Sequence, residues 1–146
     1  MMDGEVYACF NKNSNIQKSS SSGGIFYLLA QRIISQGGVV FGVRWNVNWE
    51  AVFDAAHTED ELSAFLGSKY LPAEMNGMYQ SAEQHLKDGK KVLYSGTPCQ
   101  ISGLKAYLGK EYDELTTVDM ICHGVPSPVV WRQYLKKVSA GQKIKQ

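Results

Sequence analysis

At 146 residues, with 44% apolar and 20% charged side chains, the chain is long enough to bury one ordinary core and too apolar for a disordered tail. A formal net charge of +1, without a run of either sign, gives no footprint for nucleic acid or an acidic membrane surface. Three widely spaced cysteines form no disulfide framework and fit reduced thiols or metal ligation in the cytoplasm. Asp3 and Glu5 stand where a secretory leader needs positive charge. The apolar run 25–34 is too short to span a bilayer and carries Gln31 and Arg32.

Residues 6–10 read as a short strand with Cys9 in the core, and 11–17 as a polar turn. The small polar run 19–24 leads into a helix over 25–34, whose apolar positions 25, 28, 29 and 33 predict a broadly buried face. Ser21 or Ser22 is its natural cap, and Gly37-Gly38 its stop. Strands are expected over 39–45 and 51–56, antiparallel about a turn at 46–48. Thr58 and Glu61 have capping-box spacing and open a short helix that stops at Gly67. A helix over 77–86 ends before Gly89. Strand 91–94, helix 98–108, strand 116–121 and helix 128–138 then alternate, and the polar tail 139–146 is expected to fray. The pattern is that of an α/β fold with a mixed, largely parallel sheet flanked by helices.

The densest chemical signal is the stretch from Val92 to Gln100, a buried strand followed by a turn and a helix. Thr97 suits the N-cap and Pro98 the first helical position, which places Cys99 among free amides at the positive end of the helix dipole. Such a position favours a thiolate or a bound anion. A second unit repeats the arrangement, with a strand, Cys122-His123-Gly124 and a helix opened by Ser127-Pro128. In an open α/β sheet, ligands collect outside the carboxyl ends of the strands. Two neighbouring strands would bring both thiols to one crevice.

The alternatives at these positions stay open on sequence grounds. Two cysteines 23 positions apart make no zinc motif, and both also read as small apolar fillers. Cys99 with His123 as base and Asp119 as orienting group would make a thiol enzyme. Ser19 to Gly24 reads as a phosphate cradle or as a flexible loop with a cap; it matches neither a P-loop nor a Rossmann fingerprint. Lys69 offers a charge to a phosphate or an electron-rich ring, or is a solvated loop lysine. His57, His85, Trp45, Trp49 and Trp131 read as structural residues.

Taken together, four segments resemble the beta subunit family of coenzyme F420 hydrogenase/dehydrogenase. They are Ser20-Ser21-Ser22-Gly23-Gly24 leading to the run 37–42, Gly67-Ser68-Lys69-Tyr70, the segment 95–105, and the segment 119–128. The similarity runs from about Val6 to Tyr134. It implies an iron–sulfur flavoprotein oxidoreductase subunit that transfers electrons between a 4Fe-4S cluster, FAD and a deazaflavin or similar small carrier. A redox partner protein or subunit is implied as well. Carried onto this chain, the resemblance implies cluster ligation by Cys99 and Cys122. It implies flavin contacts at Ser21, Ser22, Gly23, Gly24, Lys69, Gly96 and Thr97, with His123 and Gly124 shaping the same loop. A ferredoxin-like N-terminal segment and a downstream cysteine pair of the family are not in these 146 residues, so an incomplete domain and an incomplete ligand set are expected. Residues 1–88 would then form an N-terminal α/β segment and 89–146 the start of the family's C-terminal region, packed as one domain. A non-catalytic remnant or assembly module is the remaining alternative.

Overall fold

The computed structural model describes residues 4–140 and residue 142. Most of the expected tail, residues 141 and 143–146, therefore lies outside the described residues. Ten elements follow in order: α1 (Ser14–Ser19), α2 (Ile25–Ser35), β1 (Val39–Trp45), β2 (Ala51–Ala56), a 3₁₀ helix (Asp60–Phe65), α3 (Met78–Lys87), β3 (Val92–Gly96), α4 (Pro98–Leu108), β4 (Leu115–Asp119) and α5 (Pro128–Ser139).

The four strands form one sheet in the order β2-β1-β3-β4. β1 and β2 pair antiparallel, with Val40 opposite Ala56 and Trp45 opposite Ala51. β3 runs parallel to β1 on one side and to β4 on the other, with Gly96 in register with Asp119. The sheet is mixed and mostly parallel, as the alternation of strand and helix predicts.

Side-chain alternation divides the core into two layers. Val39, Phe41, Val92 and Tyr94 join Phe53 and the buried faces of α3 and α4, including Ala82, Leu86, Ile101 and Leu104. Val40 and Leu93 point the other way, onto Ala30 and Ile33 of α2 and Leu62 and Phe65 of the 3₁₀ helix. β3 is buried at every position, as a central parallel strand must be. Each fully buried side chain such as Leu93 or Phe41 contributes roughly 1.5–3 kcal/mol relative to exposure.

The N-terminal part departs from the sequence-based expectation. Residues 6–10 form no strand, and Val6, Tyr7 and Phe10 are largely exposed. Cys9 is exposed rather than in the core. The segment is held by backbone instead, through the Asn11 amide donating to the Gly23 carbonyl at 2.6 Å. Within the expected turn 11–17, Asn13 caps α1 by accepting from the amides of Asn15 and Ile16. Gly24, with φ of 72°, occupies the N-cap of α2, so neither Ser21 nor Ser22 caps it. Only Ala30 and Ile33 of that helix are buried, while Leu28 and Leu29 are partly exposed. The Thr58–Glu61 spacing gives half of the expected box, because the Glu61 carboxylate accepts from the amides of His57 and Thr58. The element that follows is 3₁₀ and ends at Phe65. β4 stops at Asp119, two residues short of the expected end.

Candidate functional site

A cavity of about 540 Å³ opens at the carboxyl ends of β3 and β4. Its size lies within the range of small-molecule and cofactor sites. Four stretches of chain build its wall: Ser20–22 with the start of α2, Phe65 to Ala73, Ser95 to Gln100, and Val118 to Val125 in part. Gly42 and Val43 of β1 form its floor. A Cβ at Gly42 would lie 2.8 Å from the Phe65 ring, so glycine here lets the ring seat against the strand and shapes the apolar wall.

Both thiols open into this one cavity. The register explains it: Gly96 and Asp119 sit side by side, and each cysteine follows three residues later. Thr97 is the N-cap of α4 and Pro98 opens it, which sets Cys99 in the first turn. Gln100 fixes the turn by accepting from the Thr97 amide at 2.8 Å. The Thr97 hydroxyl lies 3.1 Å from the Cys99 sulfur. Tyr79 supports the helix from behind, donating to the Gln100 carbonyl at 2.7 Å. Burial raises its phenol above the ordinary value, and the charge of nearby Cys99 adds to the rise. The Cys122 sulfur accepts from the Gly124 amide at 3.4 Å. Both cysteines are free and exposed.

The opposite wall carries hydrogen-bond donors. The Ser21 oxygen accepts from the Ser68 amide at 2.6 Å and from the Ser68 hydroxyl at 2.9 Å. This ties the start of α2 to the 67–69 loop across 47 residues of sequence. The Lys69 ammonium donates to the carbonyls of Ala64 and Leu66 at 3.0 and 2.8 Å. It is half-buried rather than a freely solvated loop lysine, and burial brings its pKa down to about 8. The wall holds no carboxylate, and Lys69 is its one charged side chain among the described residues.

Of the residues expected from sequence, the fold brings Ser21, Ser22, Gly24, Lys69, Gly96, Thr97, Cys99 and Cys122 to the cavity. Gly23, His123 and Gly124 do not line it. A Cβ at Gly23 would lie 2.8 Å from the Cys9 carbonyl oxygen, so this glycine makes room for the N-terminal strap. His123 is exposed, and no hydrogen bond joins it to Cys99 among the described residues. Sequence reasoning missed Phe26, Leu29, Gly42, Phe65, Ser68 and Gln100. The exposed half of the apolar pattern on α2 and the glycine within β1 were the available signals.

No group of three or more histidine, cysteine, aspartate or glutamate side chains is placed to hold a metal among the described residues. Two thiolates do not complete the four-cysteine shell of a 4Fe-4S cluster. The described residues therefore do not by themselves fit that cluster. They do fit a flavin-sized ligand, given the cavity volume, its apolar walls and its ring of donors without carboxylates.

These features define an α/β protein with a cofactor-type pocket at the carboxyl ends of parallel strands. Residues 89–146 match the family described as the C terminus of the coenzyme F420 hydrogenase/dehydrogenase beta subunit. The fold is also similar to a chain of the F420-reducing NiFe hydrogenase complex from Methanosarcina barkeri, with a TM-score of 0.70 and 17% sequence identity. The likeness covers 93% of this chain and 51% of that one, so the chain spans about half the length of its structural relative. No curated protein sequence matches the chain. Among the described residues no helix is long and apolar enough to cross a membrane.

Proposed function

We propose that the chain is the flavin-holding part of an iron–sulfur flavoprotein subunit, exchanging electrons with a cluster and with a deazaflavin or similar carrier in the cytoplasm. A redox partner protein or subunit belongs to the same reading. The single observation that carries it is the shared cavity, in which the 20–24 turn, Lys69, the Thr97-Pro98-Cys99 turn and Cys122 converge. Bound FAD would supply the exchange between hydride and single-electron transfer, and the protein's share is binding and electrostatics.

Each wall has a separate task in this reading. Phe26, Leu29, Phe65 and Val118 exclude water from the face of a planar ring. Ser21, Ser22 and Lys69 supply donors, and Gly96 with Thr97 lets the ring approach the strand ends closely. Cys99 and Cys122 stand as two cluster ligands, whose partners lie outside the set that the described residues provide.

Anaerobic incubation of the full chain with FAD, ferrous iron and sulfide, followed by desalting and visible spectroscopy, tests the reading. Retained flavin is the expected result. Cys99→Ser is expected to keep the flavin and lose whatever iron absorbance the unmodified chain acquires. A colourless protein after desalting would remove the flavin assignment.

A further inference from the structure

Among the described residues, the cavity wall carries a positive charge without a negative one. Lys69 has no carboxylate partner among the described residues, since the ion pairs there join Arg44 to Asp54, Lys87 to Glu83 and Arg132 to Glu50. Its ammonium has three N–H donors, and Ala64 and Leu66 take two of them. One donor is left on a half-buried cation facing a mostly apolar space. Burying a cation against neutral dipoles alone is unfavourable, and the deficit is relieved by any anion that enters.

Ser21 is biased in the same direction. Its oxygen accepts two hydrogen bonds from Ser68, so both lone pairs are engaged and the hydroxyl hydrogen is what it has left to offer. Two neighbouring loops thus present an O–H and an N⁺–H, with no competing carboxylate on the wall among the described residues. Charge-assisted donors of this kind pair best with phosphate oxygens.

We propose that Lys69 is the specificity-determining residue of the cavity, selecting phosphate-bearing flavins over riboflavin by pairing its ammonium with a phosphate oxygen. This rests on the flavin reading and deepens it. It also gives the site a pH dependence. Anion binding favours the charged ammonium, so the preference is complete below the pKa of about 8 in the free protein and fades as pH rises through it.

The test is equilibrium titration of the full chain with riboflavin, FMN and FAD, read by flavin fluorescence at pH 7 and pH 9. FMN and FAD are expected to bind about tenfold or more tightly than riboflavin at pH 7, as a charged hydrogen bond in a partly dry site dictates. Lys69→Met should weaken FMN and FAD binding about tenfold more than riboflavin binding, so that the three affinities converge, and Lys69→Arg should keep most of the preference. Equal affinities in the unmodified chain, or an unchanged preference in Lys69→Met, would overturn the proposal while leaving the flavin reading intact. Should none of the three bind, the flavin reading falls, and inorganic pyrophosphate decides the charge argument alone. Protection of Lys69 from acetic anhydride by pyrophosphate, read by mass spectrometry, would support it; unprotected Lys69 would overturn it.

Discussion

Gly42 shows how a missing side chain builds a site. The Phe65 ring lies so close to its Cα that an added methyl would stand 2.8 Å from two ring carbons. The ring therefore rests on β1 and presents its other side to the cavity. Gly42→Ala is expected to destabilise the fold by about 1–3 kcal/mol, the usual cost of overpacking. Flavin affinity should fall with it, because the ring has to move into the space the ligand uses. Urea denaturation and flavin titration of the same variant check the two effects separately. Lys69 and Cys99 differ from Gly42 in kind, since they carry charge and nucleophilic sulfur rather than space.

Among the elements, α4 is the one whose beginning matters most. Its first turn is closed by the Gln100 side chain reaching back to the Thr97 amide, and the same turn holds Cys99. Gln100→Ala leaves that amide without its side-chain partner and is expected to cost about 1 kcal/mol, as lost caps do. Thermal melts would show the loss, and alkylation of Cys99 by iodoacetamide would report the loosened turn through a changed rate. This element was legible in the sequence to the residue, because Thr-Pro at a strand end specifies both a cap and a first helical position. α5, opened by Ser127 and Pro128, was legible for the same reason. The strand expected over 6–10 was not, because its pattern is local whereas a strand exists only beside a partner. On the sheet edge at β2 a place is already taken by Glu74, whose amide and carbonyl bond to Ala51 and Phe53. Pairing the two thiol loops required knowing that β3 and β4 are neighbours, which sequence spacing allowed and only the register established.

At the scale of the whole molecule, stability is expected to depend on pH through His85 of α3. His85 of α3 packs against Phe41 of β1 and against His57 beyond β2, and its Nδ1 is buried without a hydrogen-bond partner. Burial lowers its pKa from the usual 6.5, helped by the charges of Lys90 and His57, while Asp88 opposes the shift. The unfolded chain therefore binds this proton more readily than the folded one. The folded state should hold its full stability above pH 6.5 and lose it as the pH falls through the depressed value. Denaturant midpoints at pH 7.5 and 5.5 are expected to differ in that direction, and His85→Gln should flatten the difference. A different global feature is the apolar surface along Ile121, Val125, Val129, Val130 and Tyr134, all exposed. That stretch flanks Cys122 and is continuous with the mouth of the cavity through Val125.

The central place of β3 in the sheet has a consequence for biosynthesis. β1 and β2 emerge from the ribosome as a hairpin whose inner edge has nothing to pair with until residues 92–96 follow. The pocket wall is assembled from segments as far apart as Ser20 and Val125, so no shorter nascent chain encloses it. Enclosure of any ligand is thereby deferred until Val125 has emerged, and a ribosome stalled before β3 would carry a half-sheet suited to chaperones rather than to ligand.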